Sequence, residues 1–180
     1  MITYIAILRG INVSGQKKIL MEDLRYLMEG QGFQNVRTYI QSGNIIFEST
    51  ETLSEKIRSK IENTIFNKYG FHVPVIIRTK DEMENVISNN PFLNRENINE
   101  DKLHVTFFNE PPDKERIKEI EKVNYSPDEF FFSDKEVYLH CPEGYGRTKL
   151  SNNFIEKKLK KTATTRNWKT VKKLIEIAEN

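Results

Sequence analysis

Ile2 to Leu8 is apolar at nearly every position, and this short run decides what kind of sheet the chain can build. A strand of that composition has no polar face to present to water. Both of its faces have to be covered by other parts of the protein. The run therefore predicts a strand at the centre of a sheet rather than at its edge.

The elements after this strand are predicted from hydrophobic periodicity and turn residues. A helix is expected over residues 20–28, and strands over 36–40 and 45–47 flank a tight turn. A second helix and a strand over 73–78 complete this half of the chain. The order is β-α-β-β-α-β, which is typical of ferredoxin-like folds.

The second half begins the same order again, with a strand over 103–108, a helix over 117–123 and a hairpin over 130–141. No final strand is evident, and helices are predicted from about Ser151 and Asn167. We therefore predict an α+β protein of two sequential modules. Residues 1–80 form a ferredoxin-like module, and residues 81–180 form a related but incomplete repeat that ends in basic helices.

Two threonine and glutamate pairs have the spacing of capping boxes, Thr52 with Glu55 and Thr79 with Glu82. In a capping box the hydroxyl and the carboxylate each accept a hydrogen bond from a main-chain N–H at the helix start. We therefore expect helices to begin just after Thr52 and Thr79.

Three motifs set the chain apart from a generic α+β protein: Leu8-Arg9-Gly10-Ile11-Asn12-Val13, Gln41-Ser42-Gly43-Asn44 and Thr164-Thr165-Arg166-Asn167-Trp168. With these motifs the chain resembles DUF1697, a bacterial domain family of unknown function, over nearly its whole length. The resemblance implies an α+β protein with ferredoxin-like modules. It supplies no activity and no catalytic residues.

The predicted topology brings two loops of the first module together. The first two strands run in the same direction and the third runs back, so the loop after strand one and the first hairpin turn share one end of the sheet. Guanidinium and main-chain N–H groups at such a rim bind phosphate or carboxylate. The predicted ligand-binding residues are Arg9, Asn12, Lys17, Lys18, Gln41, Ser42 and Asn44. Alternatively, these residues only shape the two turns.

The net charge of +2 conceals an uneven distribution. Residues 147–173 contain ten basic residues and one acid, a net +9, whereas the other 18 bases and 25 acids sum to −7. This pattern is typical of a surface that binds polyanions, so nucleic acid is an alternative ligand. Ordinary amphipathic helices with solvated lysines would give the same count.

A second candidate anion site lies in this basic segment. Arg147, Lys149 and Arg166 are its residues, and the first two precede the predicted helix start at Ser151. A helix start attracts anions through its unpaired N–H groups. A third hypothesis is an interaction or assembly protein that binds no ligand. No catalytic signature is present, so the sequence does not predict an enzyme reaction.

Cysteine and histidine limit the metal chemistry. Lone Cys141 excludes an intramolecular disulfide and a multi-cysteine zinc site. Strand alternation predicts that His104, Thr106, Tyr138 and His140 share one face of the second sheet. Two histidines without a third ligand do not indicate zinc, and no cofactor motif is present.

Hydropathy favours a cytoplasmic protein. The mean hydropathy is −0.62, and no apolar run approaches the length of a membrane span. The first residues also lack the basic region of a signal peptide.

Overall fold

A computed structural model describes all 180 residues of the chain. The first half contains β1 Ile2–Leu8, α1 Met21–Glu29, β2 Gln34–Tyr39, β3 Asn44–Ser49, α2 Ser54–Tyr69, β4 Val75–Thr79 and α3 Lys80–Ser88. The second half contains β5 Leu103–Phe108, α4 Lys114–Glu121, β6 Glu129–Ser133, β7 Glu136–His140, α5 Asn152–Leu159, β8 Ala163–Asn167 and α6 Trp168–Glu179. None of the helices combines the length and the apolar composition that a bilayer span requires.

The strands form two antiparallel sheets of the same topology, with orders β2-β3-β1-β4 and β6-β7-β5-β8. The predicted fold class, α+β with two similar sequential modules, is confirmed. One detail was wrong, because β8 supplies the final strand and the second repeat is complete. That strand is Ala163-Thr164-Thr165-Arg166-Asn167, which is short, polar and without the apolar alternation that marks a strand.

The chain packs as two compact units, Met1–Asn85 together with Lys173–Asn180, and Val86–Lys172. In the first unit one sheet face packs against α1 and α2 through buried apolar side chains: Tyr4, Ala6, Leu8, Ile45, Phe47, Val75 and Ile77 on the sheet, and Leu24, Met28, Ile57, Ile61 and Ile65 on the helices. Full burial of each large aliphatic side chain contributes about 1.5–3 kcal/mol. Ile5, Ile7 and Ile46 are fully buried as well, so both faces of β1 are covered, as the apolar run predicts.

The two expected capping boxes differ in outcome. At α3, Thr79 Oγ1 accepts the Glu82 N–H at 3.1 Å and Glu82 Oε2 accepts the Thr79 N–H at 2.8 Å. At α2 the box is absent, because Leu53 occupies the N-cap position without a side-chain bond. There Glu51 accepts the N–H groups of Thr52 and Leu53 at 2.9 and 3.0 Å.

In the second unit, Phe108, Val137, Leu139 and Cys141 pack against buried side chains of α4 and α5. The strand register places His104 opposite Leu139 and Val105 opposite Tyr138. Directly opposed residues lie on the same face, so His104 and Thr106 are on the face of Leu139. The expected grouping of His104 and Thr106 with Tyr138 and His140 on one face is therefore wrong.

The two sheets repeat in register down to single positions. Arg78 on β4 lies opposite Ile5 on β1, and Arg166 on β8 lies opposite Val105 on β5. Both arginines are buried, with exposed fractions of 1% and 7%. Burial lowers the pKa of Arg166 to about 10, because a charged guanidinium is less stable away from water.

Gly43 generates the first testable prediction. Its φ is +83°, and a Cβ there would lie 2.5 Å from Ile11 Cδ1 and 3.0 Å from Leu8 Cβ. Gly15 has a similar φ of +74° and nothing within 4 Å of its added Cβ. Both alanine variants incur left-handed backbone strain of about 1–2 kcal/mol. The free energy of unfolding, measured with urea, should fall by about 1–3 kcal/mol more in Gly43→Ala than in Gly15→Ala, because the added Cβ overpacks the space around residue 43. Equal losses in the two variants would show that packing around Gly43 is not the constraint.

Glu129 generates a second prediction, on pH. Its carboxylate accepts bonds from Arg95 at 2.7 and 2.9 Å and lies 3.1 Å from His140 Nδ1. Arg95 first, and His140 second, lower the pKa of Glu129 from its ordinary 4.5 to about 2. A depressed carboxylate pKa stabilises the folded state above pH 4.5, and this contribution disappears as the pH falls towards 2.

Glu129→Gln should therefore be less stable than the wild type at pH 5, and the difference should shrink as the pH falls to 2. Because the Glu129 side chain is 43% exposed, the difference at pH 5 should not exceed about 1 kcal/mol. Urea midpoints at several pH values measure it. The matched variant Glu143→Gln removes an exposed carboxylate of the same unit that forms no ion pair, and it should lose less stability at pH 5 than Glu129→Gln.

Candidate functional site

The predicted convergence of the first loop and the first hairpin is confirmed. Strands β1 and β2 both run antiparallel to β3, so the β1–α1 loop and the β2–β3 turn lie at one end of the sheet. The Leu8 N–H donates to Gly43 O at 2.9 Å, and Asn12 Nδ2 donates to Gln41 O at 2.9 Å. These bonds join the loop to the turn directly.

Asn12 uses its side-chain amide to hold the loop together. Nδ2 donates to Ile19 O at 2.9 Å, and Oδ1 accepts the Ile19 N–H at 2.9 Å. Nδ2 also reaches the Gln41 main chain, so the amide spans both ends of the loop and the neighbouring turn. Asn12 therefore stabilises the loop, and its polar atoms are occupied by the protein itself.

Asn44 and Ser42 shape the hairpin turn. Asn44 is fully buried, and its Nδ2 donates to Tyr39 O at 2.9 Å and lies 3.4 Å from Ser42 Oγ. A buried amide satisfied by the main chain is the usual arrangement inside a turn. Asn44 is thus not exposed to a ligand in this structure, whereas Gln41 is exposed and Ser42 is partly so.

The three cations of the rim differ in their surroundings. Lys17 Nζ donates to His72 O at 2.7 Å, which ties the loop to the segment before β4. Arg9 is half-buried, and its main-chain N–H donates to Pro74 O at 2.9 Å. Lys18 is exposed, and its ammonium makes no hydrogen bond or ion pair with the protein. Lys18 is therefore the cation of the loop that is available to a ligand.

The backbone of this loop is left-handed at five positions. Gly10, Asn12, Ser14, Gly15 and Lys17 have φ values of 70°, 54°, 50°, 74° and 46°. The N–H groups of Ser14 and Gly15 bond to no other protein group. Ser14 and Gly15 are the central residues of a tight turn that the Gln16 N–H closes by donating to Val13 O at 2.9 Å, and this turn leaves two adjacent N–H groups unbonded in the loop.

The ten cations of residues 147–173 fall into three groups. Arg166 is buried and donates to Thr164 Oγ1 at 3.0 Å and Thr165 O at 3.1 Å, so it does not join the exposed Arg147 and Lys149 in one surface site. Lys161, Lys172 and Lys173 form ion pairs with Glu110, Glu100 and Glu176. Six cations remain exposed and form no ion pair: Arg147, Lys149, Lys157, Lys158, Lys160 and Lys169.

Five of these six cations lie on α5 or next to its ends, and Lys169 lies on α6. Ser151 Oγ accepts the Phe154 N–H at 3.3 Å, and Tyr145 OH accepts the Asn152 N–H at 2.8 Å, so the helix start is capped by the protein. Lys157 and Lys158 lie in the last turn of α5, and Lys160 caps it with a φ of +51°. The negative end of the helix dipole stabilises cations there.

Two other side chains of α5, Glu156 and Phe154, lie among these cations in the sequence. Glu156, the lone acid of the segment, accepts the Ala163 N–H at 2.8 Å and so is engaged with the main chain. Lys158 Nζ lies 5.8 Å from the centre of the half-buried Phe154 ring. The sequence analysis did not separate Lys157, Lys158 and Lys160 from the other bases of the segment, although their clustering near the end of one predicted helix was a usable signal.

The side chains that could ligate a metal lie apart from one another. Three or more histidine, cysteine or carboxylate groups do not come together anywhere in the chain. His104 stacks on Tyr145 with ring centres 4.6 Å apart, and burial lowers the pKa of His104. Cys141 is buried, which raises the pKa of its thiol to about 11. The thiol is therefore protonated at neutral pH.

The fold and the site define an α+β protein of two ferredoxin-like modules with a cationic surface on the second. The chain belongs to the family of proteins of unknown function DUF1697, whose family model matches residues 1–138. In structure it is similar to the conserved bacterial protein SP0830 from Streptococcus pneumoniae, with 23% identity and a TM-score of 0.78 over 98% of each chain. That likeness shows a shared fold. No curated protein sequence matches this chain.

Proposed function

We propose that the second unit binds nucleic acid through the six exposed cations of residues 147–169. The observation that carries this proposal is their freedom from ion pairs, although acids outnumber bases by seven outside the basic segment. Cations that are not neutralised within the protein attract a polyanion and gain free energy when counterions leave its phosphates.

The geometry of α5 supports contact with several phosphates at once. The helix has eight residues and is therefore about 12 Å long. Arg147 and Lys149 precede its start, and Lys157, Lys158 and Lys160 are at its end. Phosphates of one strand follow each other at about 3.4 Å along the axis of B-DNA, so this length spans several of them. Lysines act as point charges on phosphates, which predicts binding without base preference.

The test replaces the three lysines at the end of α5 with glutamine, as Lys157→Gln, Lys158→Gln and Lys160→Gln together. Binding of a fluorescent oligothymidine strand is measured from about 50 to 200 mM salt. Loss of three phosphate contacts should lower the slope of log K against log salt by about 2. The physical reason is that each contact releases less than one counterion from a single strand.

Helix α2 provides the matched control because it occupies the position in the first module that α5 occupies in the second. Its exposed lysines give the triple variant Lys56→Gln, Lys60→Gln and Lys68→Gln, with the same change in net charge. This variant should keep the wild-type slope. Equal slopes in the two triple variants, or no wild-type binding at low salt, would rule out nucleic-acid binding through the lysines of α5.

A second candidate function is favoured by the first loop. We propose that it binds a small phosphate- or carboxylate-bearing molecule through Lys18 and the N–H groups of Ser14 and Gly15. The supporting observation is that the Lys18 ammonium and the N–H groups of Ser14 and Gly15 belong to the same loop and have no protein partners. This proposal involves fewer residues than the sequence predicted. Asn12 and Asn44 are left out because their side-chain amides donate to main-chain carbonyl groups.

Thermal unfolding with inorganic phosphate or citrate tests this second candidate. A ligand at about 100 times its Kd stabilises the folded state by about 2.7 kcal/mol, which raises the midpoint by several degrees. Lys18→Ala should abolish the shift. Lys56→Ala, at the exposed start of α2, should preserve it. An unchanged shift in Lys18→Ala would exclude the loop as the site.

A further inference from the structure

The two sheets have equivalent edge strands, β2 and β6. These strands differ in whether their open edge is protected against pairing with another strand. The pairing of β2 shifts register between Gln34 and Arg37, and Asn35 has a φ of +49°. Such irregularities and charges keep other strands from adding to an edge. Strand β6 pairs regularly along all five residues, Glu129-Phe130-Phe131-Phe132-Ser133, and contains no lysine, proline or bulge.

The main-chain groups on the open edge of β6 can be assigned from its neighbours. Lys135 O accepts the Phe108 N–H at 2.9 Å, and the Cys141 N–H donates to Lys102 O at 2.9 Å. Lys135 and Cys141 flank β7, so the main-chain groups of odd-numbered residues in β7 point towards β5. Those of even-numbered residues in β7 point towards β6. Since Phe131 is opposite Tyr138, Phe131 bonds to β7, and Phe130 and Phe132 direct their N–H and C=O groups outward.

These outward groups have no partner in the protein, and the side chains beside them are apolar. Neither Phe130 nor Phe132 forms a hydrogen bond other than those of the strand ladder. Phe131 is 52% exposed at the middle of the strand. Glu129, the one charged residue of β6, accepts a bidentate hydrogen bond from the Arg95 guanidinium, which neutralises its charge. The edge therefore lacks the charge repulsion that protects most edge strands.

We propose that two copies of this chain associate by antiparallel pairing of their β6 strands around a two-fold axis at Phe131. In this register Phe130 of one copy lies opposite Phe132 of the other, and their outward main-chain groups exchange hydrogen bonds. Each Phe131 meets its own counterpart. Each Glu129 lies opposite a Ser133, so the two carboxylates within the paired strands stay apart, whereas Asp128 of one copy and Asp134 of the other come to face each other just beyond the strand ends.

The sequence of β6 favours a second copy over an unrelated peptide. The three phenylalanines are symmetric about Phe131, so the same register satisfies both strands of a two-fold pair. Parallel pairing would place the two Glu129 residues side by side. Five residues per copy contribute much less than the standard interface of about 1,600 Å². The dimer is therefore weak and forms only at high protein concentration.

Sedimentation equilibrium of the full chain, from micromolar to millimolar concentration, tests the proposal. The average mass of the wild type should rise from 21.2 kDa towards twice that value. Phe131→Lys and Phe131→Glu should each remain at the mass of one chain, because residue 131 meets itself and like charges repel. An equimolar mixture of the two variants should associate again.

Phe66→Lys is the matched control, since Phe66 is an exposed phenylalanine of α2 in the other unit, and it should associate like the wild type. Amide hydrogen exchange requires no variant: the Phe130 and Phe132 amides should be protected as concentration rises, and the Phe131 amide should not change. A wild type that stays at 21.2 kDa throughout overturns the proposal. Association that persists in Phe131→Lys also overturns it. So do amide hydrogen exchange rates at Phe130 and Phe132 that do not change with protein concentration.

Discussion

Strands β1 and β5 are almost completely buried, and their main-chain groups have neighbouring strands as partners on both sides. Strand β1 pairs with β3 and β4, and β5 pairs with β7 and β8. A buried N–H or C=O without a partner costs about 1–3 kcal/mol, so each central strand requires two complete neighbours. This requirement explains why a segment as polar as 163–167 becomes a strand. It also fixes which loops meet at the ends of each sheet.

Net charge counted along the sequence differs from charge available on the surface. Of the ten cations between 147 and 173, one is buried and three are paired with acids that lie mostly far away in the chain. Of the six that remain, three lie at the end of α5, two precede its start and Lys169 lies on α6. The lone acid of α5 bonds the main chain. The basic segment is therefore a smaller and more local feature than the count of +9 indicates, and its effective part is centred on one helix.

Local patterns predicted the elements well where a single segment decides the outcome. The apolar run of β1, the turn at 41–44 and the capping box at Thr79 needed no distant information. Prediction failed where partners are remote. Whether the Asn12 amide bonds Ile19 and Gln41 or a ligand depends on how two loops meet. The face that His104 shares depends on the register between β5 and β7, and a shift of one residue reverses it.

Because the two modules share strand order and register, their differences locate what is specific to each. Buried arginines occupy the same position in both, so that feature belongs to the common architecture. The left-handed loop occurs after β1, where it is bonded to a turn that requires Gly43. The exposed lysines of α5 and the unprotected apolar edge of β6 occur in the second module. Surface chemistry therefore differs between the modules on a shared frame: the left-handed loop after the central strand occurs only in the first, and the regular unprotected edge strand only in the second.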